Sequence, residues 1–322
     1  MGNTDIRTPA PVVDLAGAVK FFDNGVRAVA GLDLTVTRGE VVAVLGRNGA
    51  GKSTTIGLLL GLMEPSAGRV ELFGGSPEQA VRDGRVGAML QEGRPLTRVT
   101  VRELLSFTAR RYPCPLRVTE TLELAGLTQL ADRRVDRLSS GQAQRVRFAL
   151  AMAGAPELIV LDEPTAALDV ASRRAFWTAM RAYADRGNTV LFSTHYLEEA
   201  DGQADRIVVI DRGRKRADGT SDAIKRGVGG ALVACDLDDR GGAGLDLLPG
   251  VTSVEARGTR ALLRSTDSDA TVRALCELDL IHGLIVTPAT LDDAFVALTS
   301  HAGDTGHDSD AMQPGTRERM AH

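Results

Sequence analysis

Two stretches of this chain carry residue types at spacings that handle polyphosphate. In Gly46-Arg47-Asn48-Gly49-Ala50-Gly51-Lys52-Ser53 the glycines let the backbone curl, so that several N–H groups converge on an anion. Lys52 adds a mobile cation for the outer phosphates. Ser53 adds a hydroxyl for Mg²⁺, a cation that takes oxygen ligands. Lysine is scarce, at positions 20, 52, 215 and 225 alone. With so few lysines the pattern arises by chance roughly 0.005 times in a chain of this composition.

The second stretch, Leu158-Ile159-Val160-Leu161-Asp162-Glu163, is an apolar run ending in two carboxylates. Asp162 is placed to hold Mg²⁺, directly or through water. Glu163 is placed to polarise a water for attack on a γ-phosphate. An Asp-Glu pair alone is usually a solvated acidic turn; the apolar run before it and Pro164 after it favour the chemical reading. His195 follows the apolar Val190-Leu191-Phe192-Ser193, and Gln91 follows Gly87-Ala88-Met89-Leu90. Either could be an ordinary surface residue, but each stands at a strand end, as Glu163 does.

The elements needed to hold these groups are legible. Short strands are expected from Val12 to Val36, with a turn at Asp23-Asn24-Gly25. Glu40–Leu45 reads as a strand buried on both faces, and Lys52–Leu62 as the helix that receives the phosphate at its positive end. Residues 69–90 read as short strands and a turn. Residues 100–111 read as a helix whose Thr100 and Glu103 resemble a capping box. Residues 117–137 read as helical, and another helix runs from about Gly141 to Ala153. Buried strands follow at 158–161, 189–193 and 207–210, with a helix at 170–186 between the first two. Strands alternating with helices imply a parallel sheet covered on both sides.

The pattern changes after Gly213. A short helix is expected at 221–226 and a flexible joint at Gly227, Gly229 and Gly230. Strands at 231–237, 251–256, 260–264 and 284–287, with helices at 268–279 and 290–299, make a small α+β unit. Residues 1–10 are expected to fray and the polar stretch 301–322 to be disordered.

Composition narrows the classes. The chain has 322 residues, 43% apolar content and a formal charge of −4. That supports about two folded domains and argues against a dedicated nucleic-acid binder, which carries a basic footprint. Cys114, Cys235 and Cys276 are odd in number and widely spaced, which points to a reducing compartment rather than a disulfide framework. No apolar run is long enough to span a bilayer, so a membrane role is expected to come through a partner.

The motifs together resemble the ATP-binding subunit of ABC (ATP-binding cassette) transporters, over about residues 12–215. The resemblance rests on the Walker A loop 46–53, the Q-loop Gln91 and the signature Leu138-Ser139-Ser140-Gly141-Gln142. It rests also on the Walker B run 158–163, the D-loop Ala167-Leu168-Asp169 and the switch histidine His195. It implies a P-loop NTPase (RecA-like) α/β core with N-terminal antiparallel strands and a helical subdomain at about 92–155. The ATP-binding domain would span 12–219, an accessory α+β domain 220–300 and a tail 301–322. It implies ATP contacts from Phe22, Gly46, Asn48, Gly49, Gly51, Lys52, Ser53, Thr54, Gln91, Ser139, Gly141, Gln142 and Asp169. Mg²⁺ would be held by Ser53, Gln91 and Asp162, and hydrolysis carried by Glu163 and His195.

This sequence departs from the usual LSGGQ signature, with Ser140 where the family has its first glycine. Phe22, beside Phe21, is the candidate for stacking adenine, which needs only a π-face. The resemblance further implies a homodimer with ATP clasped between the P-loop of one copy and the signature helix of the other, docked on a separate integral membrane permease. The expected place is peripheral, at the cytoplasmic side of the plasma membrane. The stretch 87–115 and the run 290–299 look like the drug-resistance and ABC-2 exporter branch. The alternatives are an ABC ATPase acting on ribosomes or DNA, and an importer ATPase.

Overall fold

The computed structural model describes residues 11–91, 98–166, 168–227, 230–237, 244–279 and 282–300. The expectations for residues 1–10, Ala167, Gly229 and the tail 301–322 lie outside the described residues.

In chain order the elements are β1 (Val13–Phe21), β2 (Arg27–Val36), β3 (Val41–Leu45), α1 (Lys52–Leu59), β4 (Ala67–Leu72), α2 (Pro77–Arg82) and β5 (Val86–Met89). Then come α3 (Val101–Ala109), α4 (Val118–Leu124), α5 (Ser140–Met152), β6 (Leu158–Asp162), α6 (Val170–Ala184), β7 (Thr189–Thr194), α7 (Leu197–Gln203), β8 (Arg206–Asp211) and β9 (Arg214–Gly219). The last set is α8 (Ser221–Gly227), β10 (Ala231–Asp236), β11 (Val251–Arg257), β12 (Arg260–Ser265), α9 (Ser268–Glu277), β13 (Ile285–Pro288) and α10 (Leu291–Ser300).

The central sheet has the order β5-β6-β7-β3-β8-β9, parallel throughout except that β9 runs antiparallel to β8. Every residue of β3, β6 and β7 is buried. Their side chains alternate between two cores, as a pleated strand requires. Val41, Ala43, Leu45, Ile159, Leu161, Val190 and Phe192 face a cluster built with α3, α5 and α6, which includes Phe148, Phe176 and Trp177. Val42, Val44, Leu158, Val160 and Leu191 face the other cluster, shared with α1 and the antiparallel sheet β2-β1-β4. The continuous apolar runs in the sequence are therefore strands sandwiched between two layers.

Three details differ from the sequence expectations and one agrees. The helical run over 117–137 ends at Leu124, because Gly126 takes a left-handed φ of +62°; two short 3-10 turns, Thr128–Leu130 and Val135–Arg137, follow. Within 69–90 a helix, α2, forms on a Ser76 cap that accepts from the Gln79 N–H, with Pro77 at its first position. The acidic α7 and the charged edge strand β9 carry no apolar period to announce them. The capping box of α3 is present as expected, with both Thr100 and Glu103 engaged.

Beyond residue 230 an antiparallel sheet, β11-β12-β10-β13, has its own small core of Val233, Cys235, Leu245, Ala261, Leu263 and Leu275. The helices on either side of it behave differently. Ile224 of α8 and Leu291, Ala294 and Phe295 of α10 belong to the large core beneath the central sheet.

Candidate functional site

β3 stops at Leu45, and the chain turns back through Gly46–Gly51 before α1 begins. Gly51 caps α1 with φ +102°, and a Cβ there would lie 2.3 Å from the Ala28 carbonyl oxygen, so only glycine closes the loop against β2. No side chain caps α1, which leaves its first N–H groups free to meet an anion. Lys52 is 5% exposed. Its ammonium donates to the carbonyl oxygens of Gly46 (2.9 Å) and Arg47 (3.2 Å) and lies 3.1 Å from Glu163 Oε1.

Asp162 closes β6, buried, and accepts a 2.6 Å hydrogen bond from Ser193 Oγ. The same hydroxyl accepts from the Glu163 N–H at 2.9 Å. Glu163 itself takes φ +45°, a left-handed conformation that a carboxylate side chain adopts at a cost of about 1–3 kcal/mol. That turn aims its side chain back over the P-loop. Gln91 Nε2 donates to Glu163 Oε2 at 3.3 Å, and His195 Nδ1 lies 3.2 Å from that oxygen without completing a hydrogen bond. Burial pushes the Glu163 carboxyl up, but Lys52 and then His195 outweigh it and hold it below the usual carboxylate value.

A cleft of about 510 Å³ opens here, lined by Phe22, Asn48, Gly49, Gly51, Lys52, Ser53, Thr54, Gln91 and Glu163, together with Val26, Arg27 and Ala28. Phe22 is 40% exposed on its wall. The neighbouring Phe21 lies outside the lining, its ring facing the Arg27 guanidinium at 5.3 Å.

The signature residues stand elsewhere. Ser139 caps α5: its Oγ accepts from the Gln142 N–H (3.3 Å), and Gln142 Oε1 accepts from the Ser139 N–H (3.1 Å). Two of the four unpaired first-turn donors are thereby used, leaving those of Ser140 and Gly141. Ser140 is the first helical residue and has no left-handed φ, so its Cβ needs no strained backbone. Gly141 is required by proximity: a Cβ would fall 2.3 Å from Ser172 Oγ on α6. Asp169 caps α6, accepting from Ser172 N and Ser172 Oγ, both at 2.8 Å. The Ser172 N–H, and then its hydroxyl, hold the Asp169 carboxyl below its ordinary value. None of Ser139, Gly141, Gln142 and Asp169 lines the cleft of their own chain. The helix α5 does hold the neighbours of Gln91 and Glu163, since Gln144 Nε2 donates to Pro164 O (2.8 Å) and Arg147 Nη2 to Leu90 O (3.1 Å).

Sequence reasoning missed Ser193, which joins Asp162 to the Glu163 backbone, and the buried Glu199, hydrogen-bonded to Thr165 and Thr194. The available signal was a pair of hydroxyls ending an apolar strand, with a carboxylate four residues after His195.

Residues 29–166 match the ABC transporter family. Over 324 residues the chain is 36% identical to the daunorubicin/doxorubicin resistance ATP-binding protein DrrA of Streptomyces peucetius, covering 95% of this chain and 97% of that protein. This chain belongs to the ABC transporter family. As a member it is an ABC-type ATPase with a P-loop core. It is also 34% identical over 298 residues to Nod factor export ATP-binding protein I of Rhizobium johnstonii, covering 89% and 94% of the two chains. Among solved structures, CbiO1 of Clostridium perfringens, part of the ABC transporter complex CbiONQ, superposes with a TM-score of 0.61. It is 26% identical and covers 68% of this chain and 94% of that one. Among the described residues, no helix is long and apolar enough to cross a membrane.

Proposed function

We propose that this chain is the ATP-hydrolysing subunit that powers export through a separate integral membrane permease, working as a homodimer peripheral to the cytoplasmic face. The export reading is supported by likeness over nearly whole lengths to ATP-binding proteins of drug resistance and Nod factor export. The catalytic reading is carried by one observation: the buried Lys52 lies 3.1 Å from Glu163, on which Gln91 and His195 also converge, and Lys52, Glu163 and Gln91 line one cleft.

In this arrangement Lys52 holds the Glu163 carboxyl low, which makes it a weak base. A triphosphate seated on the α1 N-terminus offers Lys52 oxygens of its own. Glu163 then loses part of its cation, its proton affinity rises, and it can draw a proton from an attacking water. His195, with a ring nitrogen beside Glu163 and not yet hydrogen-bonded, is placed to hold the γ-phosphate side of the site. Phe22 offers its ring face to the base. Ser53, Gln91 and Asp162 are an oxygen donor set that fits Mg²⁺, which would neutralise charge on the phosphates. The signature residues and Asp169 do not line this cleft, and they serve the ATP of a second copy.

Glu163→Gln tests this. The variant should bind ATP normally, release phosphate at least about 100-fold more slowly, and accumulate an ATP-bound dimer on size-exclusion chromatography. Wild-type turnover would reject Glu163 as the base.

A further inference from the structure

A second carboxylate, Glu199 on α7, is buried at 4% exposure and takes no part in the chemistry above. Its Oε1 accepts a short hydrogen bond from Thr165 Oγ1, and its Oε2 accepts from Thr194 Oγ1 at 2.8 Å. Arg173 Nε of α6 lies 3.4 Å from Oε1. Both threonines are 1% exposed, so these hydroxyls have no ready exchange with water. Burying a carboxylate is costly unless it is paired and hydrogen-bonded, and here both oxygens are occupied.

The partners are informative. Thr165 follows Glu163 by two residues, Thr194 precedes His195, and Arg173 lies one turn after the Asp169 cap. A hydroxyl has one proton. With that proton committed to Glu199, the lone pairs of Thr194 Oγ1 face the Tyr196 N–H, which donates to it at 3.0 Å. The backbone is thus pinned at Thr194 and Tyr196, on both sides of His195. The Tyr196 ring lies 4.1 Å from the His195 ring, and the Arg173 guanidinium stands 4.7 Å from the Tyr196 ring. We infer that Glu199 is a positioning residue. It locks the Glu163 turn, the His195 turn and the start of α6 into one rigid unit, and so holds His195 at its 3.2 Å approach to Glu163.

This inference rests on the hydrolytic reading of Glu163 and His195, and the experiment separates the two. Glu199→Gln keeps the side-chain size but replaces one acceptor oxygen by a donor and removes the charge, so one threonine hydroxyl must turn round to accept and the Arg173 ion pair is lost. Thr194→Val removes the relay to Tyr196 with almost no change in shape, and stands in if the Glu199 variant does not fold. Each should lower kcat about 10-fold while KM for ATP stays within about twofold. In a His195→Ala background, followed by single-turnover hydrolysis, adding Thr194→Val should cost less than about twofold, because its effect passes through His195. Wild-type kcat in a folded Glu199→Gln or Thr194→Val variant would overturn the proposal, as would a full 10-fold further loss in the His195→Ala background. Normal turnover in Glu163→Gln and His195→Ala would instead reject the hydrolytic reading itself.

Discussion

Lys52 is shared between two loop carbonyls and Glu163. The carbonyl bonds fix the loop's curvature, and the carboxylate contact ties it to the end of β6. Lys52→Ala should weaken ATP binding at least about 100-fold by calorimetry; unchanged affinity would contradict the phosphate role. The pair also sets a pH dependence. The Glu163 carboxyl is depressed in the folded chain, so its contribution to stability is complete above the unfolded value of about 4.3 and is lost as pH falls through the lower folded value. Lys52, Asp162 and Glu163 were legible in the sequence because each sits in a contiguous motif next to an apolar run, whereas Gln91 and His195 were single residues at strand ends that only the family resemblance singled out. Ser193 and Glu199 were not, because they act on residues about 30 positions away, through contacts that form only when strands align.

Helices α5 and α6 approach each other at their N-termini, where Gly141 lies against Ser172. Gly141→Ala would place a methyl 2.5 Å from Ser172 Cβ and 2.3 Å from its hydroxyl, against the residue that holds the Asp169 cap. The two helix starts must then separate. The expected cost is about 1–3 kcal/mol in a denaturant melt, as for other overpacked contacts, with ATP-driven dimerisation lost and monomeric ADP binding retained. Dimerisation at the wild-type level would show that this junction tolerates movement. The neighbouring Ser140 illustrates the reverse case. Its departure from glycine costs nothing visible in the backbone, because the first turn of a helix suits any L-residue.

At the scale of the molecule, α10 returns to the large core. Leu291, Ala294 and Phe295 enter the large core, and the Phe295 ring lies 6.0 Å from the guanidinium of Arg47 in the P-loop. The last described helix therefore packs on the ATPase core although the small antiparallel sheet separates them in sequence. Phe295→Ala should cost about 3–5 kcal/mol and lower the melting temperature of the ATPase core itself. A melt in which the ATPase transition is unmoved would show that α10 adds nothing to that core.

The chain's local order of residues was enough to determine the nucleotide chemistry and the layered α/β plan, because phosphate loops and doubly buried strands are written in adjacent residues. Tertiary structure alone decided that Phe22 rather than Phe21 lines the cleft. It alone joined Glu199 to the turns beside Glu163 and His195, and brought Phe295 of α10 near Arg47 of the P-loop. Those outcomes depend on strand order and helix packing, which bring distant residues within hydrogen-bonding reach and leave no mark on spacing along the chain.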